Sequence, residues 1–297
     1  MSVTAETTAA YGAVQRRQAR VVVAGMVLFH VAALGVFFVG VSAAAVWTTV
    51  ALYLFRGFGV TAGFHRLLAH RSFQASRPVQ FLFALAGSLA IQGGPLWWVA
   101  HHRAHHRYTE TDKDIHSPKT KGLWRSHIGW MFSPASFAEN GAGARDLHRY
   151  PELKLLQRHY APLVIGQGFA IYLFGAALDY WFPALGTSGL QMLVWAYFLG
   201  IVLLWHATFM VNSVCHMWGS QPFDAGDAST NNWLVVIVAL GEGWHNNHHK
   251  FAYSARHGLT WREFDATWLL LRTLEKLRLI RDLKLPRAQV LADARQS

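Results

Sequence analysis

Apolar residues in this chain come in long, nearly uncharged blocks. "VVVAGMVLFHVAALGVFFVGVSA" (21–43) and "VWTTVALYLFRGFGVTAGF" (46–64) follow one another across a very short turn. "APLVIGQGFAIYLFGAALDYWF" (161–182) and "LQMLVWAYFLGIVLLWHATFMV" (190–211) make a second pair, joined by "PALGTSG". A spanning helix needs about 20 largely apolar residues, so each block predicts a span. The fold class expected is all-α: an integral membrane protein with four transmembrane helices in two hairpins.

The stretch from Pro78 to Trp98 is also apolar. A fifth full span there would put the histidine-rich regions on opposite faces, so 78–98 is expected to be an interfacial or shallowly re-entrant helix. "FDATWLLLRTLEKLRLIRDLK" predicts a basic amphipathic helix, lying on the same membrane face or packing as an ordinary surface helix. The expected organisation is a polar tail over 1–20, its first 15 residues disordered, one membrane domain over 21–285 and a tail over 286–297. The N-terminus lacks the short apolar core and cleavage site of a secretory signal, and the first apolar run is long enough to stay as a span.

Charge placement changes how the net +11 is read. Arg16, Arg17 and Arg20 precede the first block, and Arg56 is the one basic residue from Val21 to Phe64; no Lys or Arg lies between His159 and His249. Apolar blocks alternating with basic segments follow the positive-inside rule. The N-terminus, the 65–160 region, the C-terminus and the histidines are therefore expected on the cytoplasmic side. The basic charge reports orientation and contact with anionic lipid, not affinity for nucleic acid. Composition agrees: 53% hydrophobic and only 14% charged, against about 25% charged in soluble domains. Cys215, the single cysteine, excludes an internal disulfide and a thiolate metal cluster.

Candidate chemistry lies in the histidines. "HRAHH" sets His102, His105 and His106 at spacings that share one helical face, as chelation requires, with His101 pointing elsewhere. "HNNHH" repeats the spacing with His245, His248 and His249. "HRLLAH" holds His65 and His70, but five residues of straight α-helix turn the chain by about 500°, so these rings diverge by about 140° unless the helix ends or bends. "NSVCH" sets Asn212 and His216 four apart at the end of the fourth block. The candidates number nine histidines, too many for one ion and suited to two metals, with Asn212 acting through a bound water. Carboxylates are scarce in the clusters, which excludes a Glu-rich di-iron site and a Ca²⁺ or Mg²⁺ site. Imidazole suits Zn, Cu, Fe and Ni alike. His30 and His206 lie inside spans as packed or hydrogen-bonded singles; His116, His127, His148, His159 and His257 read as loop or surface residues.

"GFHRLLAHRSF", "HRAHHRYTETDKDIHSP", "NSVCHMWG" and "GEGWHNNHHKF", in this order with hydrophobic hairpins between them, resemble the membrane-bound fatty acid desaturases, in particular the stearoyl-CoA (delta-9) type. The resemblance runs from about Val46 to Leu285. It implies two iron ions, for which zinc can substitute in purified protein, held by His65, His70, His102, His105, His106, His216, His245, His248 and His249, with Asn212 acting through water. It implies an acyl tunnel shaped by Gln92, Trp98 and Thr208. Glu242, Asn246 and Asp112 are the candidates for orienting the ligand rings, and Lys119, Lys121 and Arg125 for the substrate headgroup or the membrane surface.

The reaction implied is oxygen-dependent removal of two hydrogens from a saturated long-chain acyl substrate, leaving a cis double bond, delta-9 first, and two waters. No acid–base side chain can do this, so the cofactor carries the chemistry. The carrier expected is CoA. Acyl-CoA enzymes of animals, however, have an Arg-Asp pair where this chain has Ala100 and His101, which brings in a lipid-linked acyl chain as competitor. Electrons are expected from a separate ferredoxin, rubredoxin or cytochrome b5-like carrier. The rivals are a related lipid or alkane hydroxylase, a zinc-dependent membrane hydrolase using Glu242 as base, and a metal transporter, whose ligands belong at the bilayer midplane.

Overall fold

The computed structural model describes residues 5–137 and 143–294, with side chains from Gly12 onward. Among the described residues four helices are long and apolar enough to cross a membrane: Gly12–Phe37, Ala43–Ala69, Tyr160–Trp181 and Gly189–His216. They expose large apolar side chains such as Leu28, Val31, Phe169 and Leu173, the surface that suits a lipid environment. The two hairpins are joined at their turns. Ser42 and Ser188 each cap the helix that follows, accepting from the backbone N–H of Ala45 and of Gln191, both at 3.1 Å. The Ser42 hydroxyl also donates to Gln191 Oε1 at 2.6 Å, and Trp195 Nε1 donates to the Gly40 carbonyl at 2.9 Å.

Several expected boundaries shift. The first helix begins at Ala5, so the polar segment over 1–20 is helical from that residue instead of disordered; its helix and the 3₁₀ turn that follows stop at Phe37, short of residue 43. The second span does not end at 64. It runs on as a π-helix over Gly59–Ala69, and a second π stretch, Leu193–Leu199, interrupts the fourth span.

The segment over 78–98 is not one interfacial helix. Arg77–Ser88 is one helix and Pro95–Tyr108, which carries the second histidine cluster, is another. Between them Ile91 (φ 55) and Gly93 (φ 96) take left-handed backbone conformations that end helical continuity. The Arg77–Ser88 helix lies directly on the π segment: a Cβ on Gly59 would come within 2.2 Å of the Gly87 nitrogen.

The C-terminal amphipathic helix covers Ala266–Lys276 only, capped by Asp265. It packs on the protein, as Leu271 is fully buried in the core built on Phe64, Leu68, Val99 and Leu153. The "LIR" that follows the helix forms a strand, Ile280–Arg281, antiparallel to Gln74–Ala75. This short ribbon, the one sheet among the described residues, ties the C-terminal segment to the chain just beyond the second span.

Candidate metal centre

The π-helix is what makes "HRLLAH" workable. Its hydrogen bonds run i→i+5, and the His70 N–H donates to the His65 carbonyl at 3.1 Å. Residues five apart thereby sit one wide turn apart, and the two rings that an α-helix would send apart lie 4.9 Å between centroids. His102, His105 and His106 fall in the second half and last turn of the Pro95–Tyr108 helix, where the carbonyl end of the helix favours a cation. His216 closes the fourth span, and His245, His248 and His249 lie on the short helix His245–Lys250.

These segments bring all nine histidines together. Ligand-capable atoms of His65, His70, His102, His106 and His248 lie within 4.8 Å of one another, as do those of His105, His216, His245 and His249. The groups meet where His106 faces His249 at 4.6 Å. Nε2 atoms converge in pairs: His65 with His248 at 3.0 Å, His248 with His106 at 2.9 Å, His70 with His102 at 2.7 Å and His216 with His245 at 3.0 Å. Two nitrogens about 3.0 Å apart match neighbouring ligands each about 2.1 Å from one ion.

Carboxylates complete the outer layer. His65 Nδ1 pairs with Glu242, His105 Nδ1 with Asp114 at 2.9 Å and His249 Nδ1 with Asp227 at 2.5 Å. Each neutral ring then carries its proton on Nδ1 and turns a lone pair inward from Nε2. The inward nitrogens of His105 and His249 are buried without a hydrogen-bond partner. Lone pairs facing one another in a dry pocket are repulsive unless a cation sits among them, so the donor set fits two imidazole-bound metal ions.

Burial, then the repulsion of neighbouring rings, pushes the pKa values of His102, His106, His245 and His248 well below the usual value. His249 is pushed down to about 4, burial outweighing the Asp227 hydrogen bond. These five rings are therefore neutral and ready to ligate at pH 7. Burial alone would raise the Asp114, Asp227 and Glu242 carboxyls. Hydrogen bonds from His105, from His249, and from His65 together with the Arg66 cation overcome it and hold all three below the ordinary range.

Of the expected ring-orienting residues only Glu242 touches a ligand ring. Arg66, fully buried, binds its second oxygen at 3.1 Å and Asp265 at 3.2 Å. With both oxygens engaged, Glu242 is an orienting group and not the free base that a hydrolase would need. Asn246 instead clamps the backbone of Phe223, at 3.0 and 2.9 Å. Asp112 faces solvent and pairs with Lys121 at 3.4 Å. Asp114 and Asp227 were not singled out from the sequence. His116 and His257, expected as loop or surface residues, are instead buried behind the ligand rings: His116 lies 4.6 Å from His105, and His257 lies 4.5 Å from His248. His30 and His206 are hydrogen-bonded to each other at 3.0 Å, and His206 binds His127 at 2.9 Å, so none of the three is a single. His101 stays outside both groups, its Nδ1–H donating to the Trp97 carbonyl at 2.8 Å.

Gln92, Trp98 and Thr208 line one cavity with His65, His102, His105, His245 and Asn212. Trp98 lies parallel to the His102 ring at 5.0 Å. Among the headgroup candidates, Lys119 pairs with Glu110 at 3.1 Å and Lys121 with Asp112, while Arg125 is half-buried.

The sequence profile of the fatty acid desaturase family matches residues 42–281. The chain belongs to that family, whose members are oxidoreductases that introduce double bonds into fatty acyl chains. It is 43% identical over 245 residues to a probable chloroplastic lipid desaturase of Arabidopsis thaliana, a stretch covering 82% of this chain and 64% of that protein. It is 42% identical to an sn-1 stearoyl-lipid 9-desaturase of Anabaena variabilis, over 82% of this chain and 85% of that one. It is also 42% identical to an acyl-CoA C20 delta-5 desaturase of Anemone leveillei, over 81% of this chain and 74% of that protein. The chain thus spans just under two thirds of the length of the first of these relatives.

Proposed function

We propose that this chain is an oxygen-dependent desaturase that inserts a cis double bond, at delta-9, into a saturated long-chain acyl group. The observation that carries this reading is the shared cavity: the rings grouped for two metals and the residues expected to shape an acyl tunnel face the same space. The nine histidines would hold two iron ions, with Asn212 acting through water. When bound, the ions would supply the two-electron oxidation of the acyl chain, with O₂ taking those two electrons and two more from the electron carrier to give two waters. The protein's own part is placement. Trp98, Phe209 and Val211 exclude water from the cavity wall, and the tunnel presents one methylene pair beside the histidines. Glu242, Asp114 and Asp227 fix the ring orientations.

The carrier expected from the sequence is CoA. A lipid-linked acyl chain is the second reading, favoured by one observation. Ala100 and His101, which stand in place of the Arg-Asp pair, are buried against the protein and offer no exposed charge to a CoA phosphate. Relatives named for both carriers exist. The termini and the metal site are placed on the cytoplasmic side by the positive-inside argument, and the basic face there suits an acidic electron carrier.

The test is expression in an aerobic host lacking its own desaturase, with fatty-acid profiling by gas chromatography–mass spectrometry and His105→Ala alongside. A new cis-monounsaturated acid, absent in the variant, is the expected result. A hydroxylated acid would reassign the chain to hydroxylation, and an unchanged profile from iron-loaded protein supplied with an electron donor would overturn the reading. Separating the acyl-CoA pool from the glycerolipids shows where label first becomes unsaturated and distinguishes the two carriers.

A further inference from the structure

The break between the Arg77–Ser88 and Pro95–Tyr108 helices leaves backbone groups without helical partners, and other helices satisfy them. Gln167 Nε2, on the third span, donates to the Leu89 carbonyl at 3.1 Å. Trp205 Nε1, on the fourth, donates to the carbonyls of Ala90 at 3.1 Å and Ile91 at 2.9 Å. The Gly93 N–H reaches the Tyr160 hydroxyl at 2.9 Å. Arg56 explains the orientation of Gln167. It is 1% exposed inside the second span, and among the described residues it has no carboxylate partner. Its guanidinium donates to Gln167 Oε1 at 3.0 Å and to the Ala196 carbonyl at 2.8 Å, within the π stretch of the fourth span. With its oxygen bound to Arg56, Gln167 must turn its nitrogen to Leu89.

The residue this brace positions is Gln92, which lines the acyl cavity beside Trp98 and Thr208. Its own amide nitrogen is buried and has no hydrogen-bond partner. Its place in the cavity is therefore set by the backbone on either side of it, where Ile91 and Gly93 are held in left-handed conformations. Along an extended chain one carbon lies about 1.2 Å beyond the last, a third of the roughly 3.3–3.6 Å that a residue's three backbone bonds span. A shift of that size in the cavity wall is enough to present a different methylene pair to the metals.

We propose that Gln167 and Trp205 are positioning residues for the double bond: by holding the Leu89–Ile91 carbonyls they fix where Gln92 stands, with Arg56 fixing Gln167. This rests on the desaturase reading. The test expresses the full chain as wild type, Trp205→Phe and Gln167→Met in the same desaturase-free host. Double-bond positions are read by mass spectrometry of dimethyl disulfide adducts, with iron per chain measured on the purified proteins. Trp205→Phe keeps the aromatic body and removes only the N–H, and Gln167→Met keeps the length and removes the amide. The expected result is a single positional isomer from wild type and a mixture from the variants, the displaced isomers rising to at least a tenth of product with iron content unchanged. A purely structural role would lower yield without moving the bond. If either variant makes product and the bond stays where wild type puts it, the proposal is overturned. If both variants lose their iron and make nothing, it is overturned too, because the brace then serves the metal site. No product from wild type overturns the desaturase reading, and this one with it.

Discussion

The two halves of the histidine cluster are built from the same ligand and differ in what stands behind it. Behind the five-histidine half, Glu242 orients His65, and the fully buried Arg66 binds both Glu242 and Asp265. Arg103, paired with Asp146, lies close behind His70. Behind the four-histidine half stand Asp114 on His105, Asp227 on His249 and, at 3.8 Å, Glu110 beside His216. Their one cationic partner among the described residues is Lys119, whose side chain is 56% exposed. Three carboxylates face two arginines behind the first half and one exposed lysine behind the second, so the second is the more anionic. The lesson is that ligand identity does not fix the electrostatics of a metal site, since an ion in the second half would see more negative charge although imidazole is the ligand in both.

The largest effect tests whether the halves act as one centre. His248→Ala removes a ring whose Nε2 faces both His65 and His106; product should fall to background and iron per chain should drop, as read by mass spectrometry of product and metal. Retention of activity would break the centre into one working half and one spare. Next come the carboxylates. Glu242→Gln leaves Arg66 buried with less compensation, whereas Asp227→Asn removes charge from a half that has an excess. Iron affinity in chelator competition should fall by about 100-fold in the first and about 10-fold in the second, the ends of the usual range for such partners. The reverse order would sink the charge comparison.

A smaller effect concerns pH. In chelator-stripped protein the rings of His102, His106, His245, His248 and His257 have pKa values lowered by burial. Between those values and the unfolded value of about 6.5 the unfolded chain binds more protons, so stability falls as pH drops below about 6.5. For His249 the fall continues to about 4. Asp114 and Asp227, with depressed pKa values, act in the same direction but only below about 3.9. A melting temperature in detergent that declines from pH 7 to pH 5 is expected, and a flat profile would contradict it. The smallest expected effect is Asp112→Asn, which should leave iron content unchanged and stability within about 0.5 kcal/mol.

Much of this was legible in the sequence because the signals are local. Four apolar blocks give four spans, and the two H-x-x-H-H triplets share a face by helical spacing alone. What was not legible depends on contacts that no spacing encodes. The π turn at Gly59–Ala69 rewrites the geometry of His65 and His70, and nothing in "HRLLAH" announces it; the close approach of Gly59 to Gly87 belongs to tertiary packing. Glu242 was found because it lies three residues before His245. Asp227 lies 22 residues before His249, beyond any local pattern. Asp112 and Asp114 are nearly equivalent on paper. The turn in which the Asp114 N–H bonds to the Thr111 carbonyl at 3.0 Å sends one inward and leaves the other in solvent.

The distribution of rings along the chain also constrains how the protein is made. The five-histidine group takes His65, His70, His102 and His106 from before the second hairpin and His248 from after it; the four-histidine group takes His105 from before, His216 from the hairpin's last residue, and His245 and His249 from after it. Each half of the polypeptide lends one ring to the group drawn mainly from the other. A ribosome that has delivered only the first hairpin to the membrane has therefore made no complete site. If these groups hold ions as proposed, loading has to wait for translation to pass His249 and for both hairpins to be threaded, so metal capture would report that both hairpins are in place.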